Sequence, residues 1–119
     1  MPVRSSSSPV LKWPGRAEAD AAARALAARL GAAHPELVRL GYFGSYARGD
    51  FGPGSDLDLV AIVARSARPF AERALEFDLR GLPLPAQLIV YTEGEWRAAC
   101  ARGERFFETL QAETVWVLG

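Results

Sequence analysis

What the chain lacks narrows its reading first. Its 119 residues hold one cysteine, Cys100, so no internal disulfide can form. The 14 basic and 14 acidic residues cancel, which leaves no bulk footprint of the kind that holds duplex nucleic acid or an anionic membrane. Any anion must therefore be held locally. No apolar run approaches the roughly 20 residues that span a bilayer, and no signal-peptide core is visible, so the cytoplasm is the expected compartment. The one histidine, His34, precedes Pro35 with no partner at metal-binding spacing and is expected in a solvated connector. No internal repeat is visible, and the length admits one ordinary core without a second domain of comparable size.

What is present reads in order as a short tail and one domain. Four serines, Ser5 to Ser8, lie between Pro2 and Pro9, a composition that cannot offset its ordering entropy; a flexible tail is expected over residues 1–12 and a folded domain over 13–119. From Arg16 to Leu30, Ala19, Ala22, Ala23, Leu26 and Leu30 recur at helical spacing, with Gly31 as the expected stop. Leu37 to Phe43 reads as a strand, with Val38, Leu40 and Tyr42 on one face. Leu57 to Val63 is almost continuously apolar, as in a covered central strand. Pro69 is expected to open a helix through about Arg80, turning Phe70, Ala74 and Phe77 inward, with Leu75 a further candidate. Ala86 to Tyr91 alternates as a third strand, and Thr92 with Glu95 has the capping-box spacing that starts a helix carrying Trp96, Ala99 and Cys100 inward. A last helix from about Glu104 to Ala112 and a closing strand from Thr114 to Leu118 follow. Helices alternating with strands argue for an α/β layer. Trp96, Phe106, Phe107 and Trp116 are either core or an exposed patch for a partner subunit.

The chemistry concentrates between Gly44 and Asp58. Gly44, after a strand, allows a sharp turn and lets a ligand approach the backbone. Ser45 starts a helix whose first N–H groups favour phosphate. Arg48 follows one turn later, where its guanidinium can fork onto phosphate oxygens. Asp56 and Asp58 stand two apart at the head of a strand, so both carboxylates emerge on one face. Two such acids repel each other and suffer desolvation unless a divalent cation joins them; the hard oxygen set suits Mg²⁺ or Mn²⁺.

Gly44-Ser45-x-Ala47-Arg48-Gly49 followed by Ser55-Asp56-x-Asp58-Leu59 resembles the signature of the polymerase-β-type nucleotidyltransferase superfamily, and the short chain resembles its minimal nucleotidyltransferase branch. The resemblance implies an α+β nucleotidyltransferase fold: a mixed sheet of three to four strands with helices mainly on one face. It implies transfer of a nucleotidyl group from a nucleoside triphosphate to a hydroxyl acceptor, with Asp56 and Asp58 as catalytic metal ligands and Gly44, Ser45 and Arg48 on the β- and γ-phosphates. The family's third carboxylate falls at Gln87, a weaker ligand that carries no charge and accepts no proton. Nucleotide binding is therefore expected to outlast turnover, which is weak, absent or rescued by another acid such as Glu93 or Glu95. The family further implies a HEPN-type helical partner in a toxin–antitoxin pair, no membrane, and a homo-oligomeric state left open. The alternative is an inactive module that neutralises its partner by contact.

Overall fold

The apolar run Leu57–Val63 forms a strand covered on both faces, and the sheet is built around it. In a computed structural model residues 13–119 are described; the tail expected at residues 1–12 lies outside the described residues. Strands β1 (Leu37–Phe43), β2 (Leu57–Val63), β3 (Ala86–Thr92) and β4 (Val115–Leu118) form one sheet in the order β3-β2-β1-β4. β1 pairs antiparallel with both β2 and β4, whereas β2 and β3 run parallel. Helices α1 (Arg16–Ala33), α2 (Ser45–Arg48), α3 (Glu93–Ala101) and α4 (Arg105–Glu113) complete the α+β fold, with a 3₁₀ segment at Phe70–Glu76.

Because alternate strand residues face opposite sides, β2 feeds two cores. Leu57, Leu59, Ala61 and Val63 pack with Ala19, Ala23, Leu26, Ala27 and Leu30 of α1. Val60 and Ile62 pack with Trp96 and Ala99 of α3 and with Phe107 and Leu110 of α4. The helices are thus divided between the two faces, a refinement of the expectation that they gather mainly on one. The alanines of α1 let it approach the sheet closely, and Tyr42 Oη donates to Asp20 Oδ1 at 2.7 Å to fix the helix against β1. That bond is the main reason the Asp20 carboxyl is held below its usual range.

Four local expectations are corrected. Helix α1 runs past Gly31 to Ala33, since Gly31 adopts helical geometry and Leu118 packs against it. In β1, Leu37 faces Val63 but Arg39 faces Ile62, so Val38 is the extra residue of a bulge and is exposed instead of inward. His34 is half-buried against Phe77, with ring centroids 4.4 Å apart. The helix expected after Pro69 is the short 3₁₀ segment. Its buried anchor is Arg73, while Phe70 and Leu75 are exposed.

Arg73 explains that departure. Its Nη1 and Nη2 donate to Glu95 at 2.6 and 3.1 Å, Nη1 also to Val90 O at 3.3 Å, and Nε to Arg68 O at 3.1 Å. Satisfying a planar guanidinium on three sides takes precedence over continuing an α-helical ladder. The same carboxylate caps α3, where Thr92 N–H donates to Glu95 Oε1 at 2.9 Å and Glu95 N–H to Thr92 Oγ1 at 3.1 Å, the capping box expected from sequence.

Candidate functional site

β1 delivers the chain to Gly44, whose φ of 78° and ψ of −150° lie in a region open essentially to glycine. The turn is needed because Asp58 Oδ2 presses on the space a Cβ would fill. After it, α2 makes a single turn from Ser45 to Arg48 and is closed by Gly49, which is left-handed at φ 87° and donates its N–H to Ser45 O at 2.8 Å. Tyr46 points into the core, stacks on Phe51 with centroids 4.3 Å apart, and donates to Pro14 O at 2.8 Å. Trp13 Nε1 donates to Ser55 O at 3.2 Å and Arg16 Nη2 to Ala47 O at 3.0 Å. Residues 13–16 therefore strap the loop that carries the site. That strap had no signature in the sequence.

Asp58 opposes Phe43 on β1 and Gln87 on β3, so all three side chains emerge on the face covered by α3 and α4. Asp56 stands just before the strand, and Gln87 Nε2 donates to its Oδ2 over a long 3.4 Å. Burial raises the Asp58 carboxyl above its ordinary value, with Asp56 and Glu113 adding to the effect and Arg48 opposing it. Ser55 serves the loop: its Oγ accepts from Gly52 N–H at 2.9 Å. The residues singled out from sequence, Gly44, Ser45, Arg48, Asp56, Asp58 and Gln87, thus all lie along one end of the sheet.

One site residue was missed. Glu113, at the end of α4, accepts from Gly44 N–H at 2.6 Å on Oε2, and both its oxygens lie 3.4 Å from Arg48 Nη1. Arg48 also holds Asp50 at 2.9 Å through Nε. The cradle expected to face a ligand is therefore engaged by the chain's own carboxylates. The only hint in the sequence was an acid at a helix C-terminus, where the dipole disfavours it.

Glu95 is removed as a substitute for the third carboxylate. Its oxygens are committed to Arg73 and Thr92, and the Arg73 guanidinium holds its carboxyl below the usual range. Glu93 follows the far end of β3, six residues from Gln87 and so roughly 20 Å away along a strand. Trp96 and Phe107 are core, Trp116 is half-buried, and Phe106 is exposed. Among the described residues no group of three or more His, Cys, Asp and Glu side chains is arranged to hold a metal ion. The donor set that does exist, two neighbouring acids of which Asp58 is raised first by burial and then by the charge of Asp56, is the kind Mg²⁺ takes when substrate phosphates and waters complete its shell. Among the described residues no helix is long and apolar enough to cross a membrane.

Comparison with known proteins adds three findings. A family model described as a nucleotidyltransferase domain matches residues 24–109, which include every site residue above except Glu113. A crystal structure of a presumptive nucleotidyltransferase from Sulfolobus solfataricus superposes with a TM-score of 0.60, covering 85% of this chain and 80% of that chain at 21% sequence identity. That likeness concerns the fold. No curated protein matches the chain in sequence.

Proposed function

Because the chain belongs to the nucleotidyltransferase domain family, we propose that it binds a nucleoside triphosphate with Mg²⁺ at the end of β2 and transfers its nucleotidyl group to a hydroxyl acceptor, at a rate limited by Gln87. The observation that carries this reading is the pressing of Asp58 onto Gly44, which joins the acid pair to the phosphate turn. In this reading Asp56 and Asp58 hold the cation, which when bound would neutralise charge on the phosphoryl oxygens. Gly44 and Ser45 offer backbone N–H groups to the terminal phosphates, and Arg48 offers its guanidinium. The strap of residues 13–16 holds the backbone of the turn in place, which lowers the ordering left for a ligand to impose on it.

Gln87 sets the limit. Its amide occupies the register position beside Asp58 and donates to Asp56. It can hold a carboxylate in place but cannot take the proton of an attacking hydroxyl. This favours a second reading in which the domain acts by contact on a helical partner of the HEPN type, with nucleotide binding retained and turnover lost.

Titration with Mg²⁺ and a non-hydrolysable nucleoside triphosphate tests the first reading. The amide signals of Ser45, Arg48, Asp56 and Asp58 should shift together, and only when both components are present. Unmoved signals would refute it. Gln87→Asp separates the two readings: restoring a carboxylate should raise Mg²⁺-dependent transfer of labelled nucleotide about a hundredfold, equivalent to about 3 kcal/mol of barrier. No gain in the variant, with nucleotide binding intact, would favour contact alone.

A further inference from the structure

Glu113 ends α4 and is followed, after Thr114, by β4, whose Val115 pairs with Tyr42 of β1. Its backbone is thereby fixed next to the phosphate turn, and only its side chain has freedom to leave. A carboxylate at this position meets the negative end of the helix dipole. It is nonetheless drawn in, with 17% of the side chain exposed, by two donors: the Gly44 N–H and the Arg48 guanidinium. Both are donors that the proposed function assigns to phosphate. A carboxylate and a phosphate are competing acceptors for one such pair, and the geometry leaves the Gly44 N–H committed to Glu113 at 2.6 Å. Glu113 also adds to the negative charge facing Asp58, so its position is favourable towards Gly44 and Arg48 but unfavourable towards Asp58. Such a contact holds the cradle while still being displaceable.

We infer that Glu113 is the resident anion of the phosphate subsite, a specificity-determining side chain that must swing out before a polyphosphate can engage Gly44 and Arg48. This rests on the proposed function for the identity of the incoming ligand. The site then admits an anion only if its charge, with that of its cation, outcompetes a tethered carboxylate. Glu113 stands at the α4–β4 junction, beyond the stretch matched by the family model.

The test uses the full chain, magnesium and inorganic tripolyphosphate, with affinity measured by calorimetry. Glu113→Gln keeps the shape and removes the charge, and should tighten binding about tenfold, because the free protein no longer spends most of its population in a closed form. Arg48→Ala should weaken binding in the same assay. Unchanged or weaker binding by Glu113→Gln, while Arg48→Ala still weakens the wild type, overturns the inference and leaves the proposed function standing. Absence of binding to both the wild type and Glu113→Gln overturns both. A measurement on the wild type guards against a variant that fails to fold: on titration the carboxyl carbon signal of Glu113 should move together with the Gly44 amide. Movement of Gly44 without Glu113 would also overturn the inference.

Discussion

Gly44→Ala is expected to lower stability by about 3–5 kcal/mol and to abolish Mg²⁺-dependent nucleotide binding in whatever fraction still folds. Two causes add. A residue with a Cβ held at φ 78° and ψ −150° is strained by about 1–3 kcal/mol. The new methyl group would also collide with Asp58 Oδ2, and either response disrupts the site. If Asp58 retreats, the acid pair loses its register with the turn; if the turn moves, the Gly44 N–H loses Glu113, a charge-assisted bond whose removal costs about 1.5–3 kcal/mol. In a domain of this size each kcal/mol is about 4 °C in Tm, so the melting curve should fall by roughly 12–20 °C. Gly49→Ala is the control. Gly49 is also left-handed, at φ 87°, but its Cβ would meet nothing closer than Arg16 at 3.8 Å, and its expected cost is about 1 kcal/mol. Equal losses at the two positions would remove the role given to the Asp58 contact.

Asp58→Asn should separate stability from function. The wild-type carboxyl is raised by burial and by Asp56 and Glu113, so the folded state holds its proton more tightly than the unfolded chain. The sign follows: at neutral pH this group lowers stability, and the penalty is relieved as pH falls through the raised value towards the ordinary carboxylate range. Asparagine carries no charge, so the variant should melt a few degrees higher than wild type at pH 7 and show a flatter profile on mild acidification. Below the ordinary carboxylate range the trend reverses in both proteins. Asp20, Asp78 and Glu95 are held low by Tyr42, Arg80 and Arg73 respectively, and their stabilising contributions are lost once they protonate. Nucleotide binding with Mg²⁺ should fall by more than the roughly 10–100-fold that loss of an outer partner costs a metal site. Thermal melts across pH and a binding isotherm check both halves. A variant less stable than wild type at pH 7 would contradict the electrostatic account of Asp58.

The parts of the fold visible in the sequence are those where one local rule acted without competition. β2 was legible because burial on both faces gives a continuous apolar run, and α3 because Thr92 and Glu95 cap each other at short range. The turn and the acid pair were legible for the same reason, since Gly44, Ser45 and Arg48 are one turn apart and Asp56 and Asp58 two residues apart. What escaped required partners distant in sequence. Val38 lies outside the core because the β1–β2 register slips by one residue there, and alternation alone cannot show where a bulge falls. The segment after Pro69 had an apolar pattern suited to a helix, but Arg73 found Glu95, 22 residues away, and reshaped it. Glu113 is 69 residues from Gly44. No spacing rule connects the two, and only the closing of β4 against β1 brings them together.

The bonds that join Trp13, Pro14 and Arg16 to Ser55, Tyr46 and Ala47 tie the start of α1 to the loop around Gly44, so the two are expected to open together. Fraying of the first helical turn would free Tyr46 and Ala47 without unpairing a strand, so on the proposed function a loss of affinity can originate at a helix end outside the site. Any change upstream of Arg16 that loosens that end loosens the turn with it.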